Sequence, residues 1–153
     1  LESEVASEAL SVNYDQNQVV IRFSEEATFR SGEAAIKPEM IPIIERVVNV
    51  LSACTGDVLV SGYTDNRPIS SDRYRSNWDL SAARAVSVVH ELVMNRQVPA
   101  ERVVAAGRAE TNPLAPNDTP ENRALNRRVE IAIRNPECND EVPTGDLPVE
   151  IRP

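Results

Sequence analysis

Residues 57–106 read DVLVSGYTDNRPISSDRYRSNWDLSAARAVSVVHELVMNRQVPAERVVAA. The stretch holds two short β-branched runs on either side of one long helical pattern. Residues 57–62 (DVLVSG) and 102–106 (RVVAA) are too short and too rich in Val for helices, so both are expected as strands. Between them, Leu80, Ala83, Val86, Val89, Leu92 and Val93 recur at helical spacing, which predicts a helix over 78–95. Asn77 or Ser76 suits its N-cap, and Asp79 sits in the favourable first turn. Pro99 closes the helix and pushes Val98 towards extended backbone. A strand, a long crossover helix and a second strand make a βαβ unit, and a crossover of that length allows the two strands to lie parallel.

Working outward, residues 18–23 (QVVIRF) are a further strand, and 27–36, with Gly32 and little periodicity, a loop. Pro38 opens a helix where its missing N–H costs nothing, and Met40, Ile44, Val47, Val48 and Leu51 carry that helix towards a stop before Gly56. Downstream, Thr119-Pro120-Glu121 is a helix start, with a cap, a first-position Pro and an acid at the positive end. That helix ends near Asn126, and residues 129–133 alternate as a half-buried strand, free to run antiparallel. The expected order is β-α-β-α-β-α-β: an α/β (α+β two-layer) sandwich, with helices packed on a four-stranded mixed sheet. Residues 18–134 form the domain. Residues 1–17 are expected to be a linker or a short N-terminal helix. Residues 135–153, with four Pro, five acids and one Arg, are expected to be an extended acidic tail.

The bulk numbers exclude several functions. Of 153 residues, 41% are hydrophobic, enough for one real core. The net charge of −8 suits neither nucleic acid nor an anionic lipid surface. No apolar run approaches the roughly 20 residues needed to span a bilayer, and no signal segment is present. The chain begins at Leu1 rather than Met, which reads as a fragment or processed form with any membrane anchor upstream. The single histidine, His90, leaves little room for His-based metal sites or Ser-His-Asp chemistry, and it reads as a surface residue. Cys54 and Cys138 lie 84 positions apart without CxxC partners, so they are either buried fillers or one disulfide.

Polar residues gather where strands end, which is where ligands collect in open α/β sheets. Asp65 follows the 57–62 strand. Asn77, Leu80, Ser81 and Arg84 lie three and four apart, so they share one helix face. Arg84 suits a carboxylate, clamped through two parallel hydrogen bonds, and Asp65 suits an ammonium. Together they match a zwitterion held across an open, amino-acid-shaped gap. Trp78 reads as packing at the helix start and Tyr63 as core or pocket rim. One of Arg127 and Arg128 reads as a solvated strand-end charge, with Arg128 pointing away from Val129.

The pieces GYTDN (62–66), SNWDLSAARA (76–85) and ENRALNRRVEI (121–131) resemble the signature segments of a known domain. It is shared by the C-terminus of outer-membrane protein A, the peptidoglycan-associated lipoprotein and the flagellar stator proteins MotB and PomB. The resemblance covers roughly residues 19–134. It implies non-covalent binding of peptidoglycan through the diaminopimelate of the stem peptide. Asp65 and Arg84 would hold its amine and carboxylate. Thr64, Asn77 and Arg128 would line the same pocket, and Leu80 would lie along the ligand's aliphatic stem. Tyr63 stands where many relatives have His, and the 65–77 stretch is longer than in the shortest members. That longer stretch and the lead-in QVVIRFSEEATFRSGEAAIKPE (18–39) favour a stator domain of the MotB/PomB kind. The alternatives are a type VI secretion accessory protein and an outer-membrane porin or lipoprotein. The implied setting is the periplasm of a Gram-negative bacterium, in a protein anchored in the inner membrane. The implied partners are a second copy of the chain and a membrane-embedded stator subunit reached through an upstream segment; no cofactor is implied. An oxidising compartment tips Cys54 and Cys138 towards a disulfide. A wall hydrolase is the rival reading, but no pair of carboxylates, metal site or activated nucleophile stands out for it.

Overall fold

The computed structural model describes residues 10–15, 17–94, 98–134 and 136–137. The expectations for residues 1–9, for Cys138 and for most of the 135–153 tail fall outside the described residues.

A five-stranded mixed sheet carries helices on one face. In chain order the elements are β1 (Leu10–Asp15), β2 (Gln18–Ser24), α1 (Glu25–Thr28), a 3-10 turn (Pro38–Met40), α2 (Ile41–Ser52), β3 (Val58–Tyr63), α3 (Asn77–Met94), a second 3-10 turn (Ala100–Arg102), β4 (Val103–Gly107), α4 (Pro120–Asn126) and β5 (Arg128–Arg134). The strand order across the sheet is β1-β2-β5-β3-β4. β3 and β4 run parallel, as the long α3 crossover between them allows. β5 lies between β2 and β3, antiparallel to both.

Two expectations change here. The sheet has five strands rather than four, because Leu10–Asp15, expected as linker or helix, is an edge strand. Its Leu10, Val12 and Tyr14 sit opposite Phe23, Ile21 and Val19 of β2, so the alternation puts its apolar side chains on the core face. Asn17 turns the hairpin at φ 66°, a left-handed conformation that Asn tolerates better than most residues. The second change is inside the 27–36 loop, which begins with the end of α1 and closes on itself through a bridge between Phe29 and Ile36.

The core lies between the sheet and the two long helices. Val19, Ile21 and Phe23 of β2 face it with Val129, Ile131 and Ile133 of β5 and Val58 and Val60 of β3. Ile44, Val47, Val48 and Leu51 of α2 and Ala85, Val88 and Leu92 of α3 close it from the other side. The buried face of α3 is rotated from the expected one: Val86 is 44% exposed, while Asn77, Leu80, Ser81 and Arg84 are buried. Trp78, expected to pack, is 53% exposed.

Close glycine contacts set the spacing between sheet and helix. Gly62 of β3 lies against the backbone of α3, where a Cβ would fall on the Ser81 carbonyl oxygen and 2.9 Å from its carbon. Only glycine permits that approach, and it seats α3 directly behind the loop that carries Asp65.

Candidate functional site

Asp65 lies two residues beyond β3, and Arg84 in the second turn of α3. Both are almost fully buried, at 5% and 2% exposure. Neighbouring groups fix the Asp65 loop. Asp65 Oδ1 accepts from the Arg67 backbone N–H (2.9 Å), closing an Asx turn. Asn77 Nδ2 donates to the carbonyls of Asp65 (3.4 Å) and Arg67 (2.9 Å), so this residue ties the loop to the start of α3. Thr64 Oγ1 donates to the Asp65 carbonyl (2.8 Å), and the Thr64 N–H to the Ala109 carbonyl (2.8 Å). Ser81 Oγ accepts from the Ala109 N–H (3.1 Å), joining α3 to the loop after β4. Leu80 is buried on the same face of α3.

Arg84 is held along its whole guanidinium. Nε donates to the Glu33 carbonyl (2.8 Å), Nη2 to the Arg30 carbonyl (3.4 Å), and Nη1 to Glu25 Oε2 (2.6 Å). Its central carbon stands 4.9 Å from the Phe29 ring centre, a cation–π contact. The loop after α1 thus wraps the arginine with carbonyl oxygens and an aromatic face.

The gap expected between Asp65 and Arg84 is filled by Glu25, which the sequence did not single out, and by Arg127, read from the sequence only as one of two candidate solvated strand-end charges. Glu25 opens α1, whose N-cap Ser24 accepts from the Ala27 N–H (3.4 Å). Glu25 Oε1 takes a hydrogen bond from Arg127 Nε (2.9 Å), while its Oε2 meets Arg84. Arg127 Nη1 in turn donates to Asp65 Oδ2 (2.8 Å). The Glu25 N–H also donates to the Arg127 carbonyl (3.1 Å), so the pair is joined through backbone as well as side chains. The order Asp65–Arg127–Glu25–Arg84 is therefore a continuous chain of alternating charge. Burial works to lower the Arg127 pKa, but the hydrogen bond to Asp65 and the negative charges of Glu25 and Asp65 outweigh it and raise the pKa above the ordinary guanidinium value.

Arg128 does not join this chain, and neither Arg127 nor Arg128 is a solvated strand-end charge. The Arg128 side chain is 3% exposed, and its guanidinium carbon lies 3.9 Å above the Tyr63 ring. It donates to Glu130 Oε2 (2.8 Å) and to the carbonyls of Asn126 (3.1 Å) and Asn112 (3.0 Å). Strand alternation turns it away from Val129, as expected, but the 112–115 loop covers that face and Arg128 holds the loop down. Arg127, at the α4–β5 junction, reaches Asp65 instead. A cavity of about 830 Å³ opens beside the charge chain, between the β1–β2 edge, α1 and α4. Glu25, Arg127 and Arg128 line it; Thr64, Asp65, Asn77, Leu80 and Arg84 do not. Asp65 and Arg84 thus stand back from this cavity, with the Glu25–Arg127 pair forming part of its wall.

Chemically, the arrangement offers one buried cation and one buried anion, each satisfied by a counter-charge. It is suited to holding a carboxylate and an ammonium. Among the described residues, no group of three or more His, Cys, Asp or Glu is placed to hold a metal ion. No described helix is long and apolar enough to cross a membrane.

Comparison with known proteins agrees on the fold. The chain is 37% identical to the cell wall anchor of the type VI secretion system of Pseudomonas aeruginosa. The two structures superpose at a TM-score of 0.80 over 88% of this chain and 93% of that one. Motility protein B of Bacillus subtilis is 36% identical over 134 residues, covering 87% of this chain and 48% of the relative. The peptidoglycan-binding protein ArfA of Mycobacterium tuberculosis is 38% identical over 106 residues, covering 69% of this chain and 31% of ArfA. This chain spans about half the length of the first curated relatives it matches. The sequence pattern of the OmpA family covers residues 28–127, from the end of α1 to the arginine that meets Asp65. The chain belongs to the OmpA family.

Proposed function

We propose that this chain binds peptidoglycan non-covalently and ties a membrane complex to the cell wall. It would grip the diaminopimelate of the stem peptide, the amine on Asp65 and the carboxylate on Arg84. The observation that carries this reading is the chain of charges between those two residues. Each is buried, each already accepts a partner of the charge a zwitterion would offer, and Glu25 and Arg127 fit both partners into one gap. Burial makes such contacts selective, because a wrong ligand leaves a buried charge unpaired. In this reading Asn77 and Thr64 hold the Asp65 loop in place, Leu80 supplies apolar surface to the ligand's stem, and Arg128 supports the pocket from behind. The task is adhesion rather than catalysis. The folding unit runs from β1 to β5, so it extends the expected 18–134 domain by one strand.

The machine we favour is a flagellar stator, supported by the likeness to motility protein B. A type VI secretion anchor is the second reading, supported by the likeness to the Pseudomonas aeruginosa anchor over nearly all of that chain. Either role puts the domain on the wall side of the inner membrane, in the periplasm, paired with a second copy and joined upstream to a membrane-embedded partner.

The test is capture on purified sacculi. Wild-type protein should sediment with diaminopimelate-type peptidoglycan. It should sediment much less with lysine-type material, whose third residue keeps the side-chain amine but lacks the carboxylate. Asp65→Asn, which keeps the shape and removes the charge, should lose most of the binding. Equal capture of Asp65→Asn and wild type would refute the assignment.

A further inference from the structure

Glu25 and Arg127 occupy the positions that a ligand's own charges would take. Glu25 sets a carboxylate on Arg84, and Arg127 sets a cation on Asp65. The two are bonded to each other at 2.9 Å, so together they form a zwitterion built from the chain itself. We infer that the Glu25–Arg127 pair is an internal stand-in for the ligand, and that diaminopimelate binds by exchanging with it. The inference rests on the reading of Asp65 and Arg84 as the peptidoglycan grip.

Electrostatics favour an exchange of this kind. Removing a single partner from a buried ion pair is costly, because it leaves an uncompensated charge. Exchanging one zwitterion for another avoids that cost. When the ligand takes Arg84 and Asp65, Glu25 and Arg127 keep their mutual contact and leave as a neutral unit. The structure provides room for this: both residues line the cavity of about 830 Å³ between α1, α4 and the β1–β2 edge. The Arg127 side chain is already 25% exposed, against 2% for Arg84. The moving parts are short. Glu25 begins a helix of four residues, and Arg127 is the single residue between α4 and β5.

The stand-in makes apparent affinity depend on how often it is displaced. Ligand binding is weakened by the fraction of time the site is held closed. Glu25 is therefore a residue that sets affinity by competing with the ligand. Its loss has an unusual sign: a merely structural glutamate would weaken binding when neutralised, whereas a competing one strengthens it.

Calorimetric titration of the whole chain with a diaminopimelate-containing stem tripeptide separates these cases. Wild type, Glu25→Gln, Glu25→Asp and Asp65→Asn would be compared, each with a thermal melt to verify folding. Glu25→Gln keeps the side chain's length but replaces its charge-assisted bonds with weaker neutral ones. It should bind about fivefold to tenfold more tightly than wild type. Glu25→Asp keeps the charge but is one methylene shorter, and it should fall between the two. Should Glu25→Gln fail to fold, Glu25→Asp carries the test. Binding by the folded Glu25 variants that is equal to or weaker than wild type, while Asp65→Asn is weakened tenfold or more, would overturn the stand-in and leave the grip in place. Wild type and Asp65→Asn binding alike would overturn the grip itself, and the stand-in with it.

Discussion

Replacing Arg84 by Ala illustrates how far the site and the fold share the same atoms. An arginine that only gripped a ligand could be replaced by Ala with the fold left intact. The structure predicts otherwise for Arg84. The substitution removes a fully buried guanidinium, its pair with Glu25 at 2.6 Å and its hydrogen bonds to the Glu33 and Arg30 carbonyls. It also takes away the face that covers Phe29. Removing one partner of a buried pair costs about 3–5 kcal/mol. The lower end applies here, because Glu25 keeps Arg127 and its side chain is 11% exposed. A loss of about 3 kcal/mol in a domain of this size lowers the melting temperature by roughly 6–12 °C. Differential scanning calorimetry of wild type and Arg84→Ala measures it directly. A midpoint within about 2 °C of wild type would show that Arg84 carries no structural load and would refute the reasoning. The same argument explains the choice of Asp65→Asn for binding assays: it changes charge without opening a void.

Two further predictions follow from local geometry. Gly62→Ala would drive a Cβ into the Ser81 backbone, with atoms at 2.9 and 3.2 Å besides the carbonyl oxygen, and should cost about 1–3 kcal/mol in urea unfolding; an unchanged midpoint would mean that α3 is not seated on β3 as described. Cys54 and Cys138 are proposed to form a disulfide, because the Thr55 N–H (2.8 Å) and hydroxyl (3.3 Å) both reach the Glu137 carbonyl, which brings the chain beside each cysteine together; thiol titration of denatured, unreduced protein should find no free thiol, and two would reject the pairing.

Much of the fold was legible because its signals are local. The Val-rich runs at 57–62 and 102–106 and the helical pattern between them marked β3, α3 and β4 and allowed the parallel β3–β4 pair that the structure has, and Thr119-Pro120 marked the start of α4 to the residue. Leu10–Asp15 does alternate, Leu, Val and Tyr with Ser, Asn and Asp, but it is a short edge strand that pairs only with β2, and the expectation of a linker or helix passed over that signal. In the site, the spacing put Asn77, Leu80, Ser81 and Arg84 on one face of α3, as the structure has them, but as the rim of an open gap rather than as buried residues. The bridge between Asp65 and Arg84 gave no such signal. Arg127 meets Asp65 across 62 positions, and Glu25 meets Arg84 across 59. In the sequence, Glu25 is one acid of an adjacent pair with Glu26, and Arg127 one of two adjacent arginines. Which of each pair turns inward depends on the geometry at the β2–α1 and α4–β5 junctions. No periodicity reports that geometry, and the sequence reading chose Arg128.

The most direct test of the account is a structure of this chain bound to a diaminopimelate-containing stem peptide. The account predicts the ligand's ammonium on Asp65 and its carboxylate on Arg84, with Glu25 and Arg127 drawn back together. A peptide bound elsewhere, with the Asp65–Arg127 and Glu25–Arg84 contacts unbroken, would contradict it.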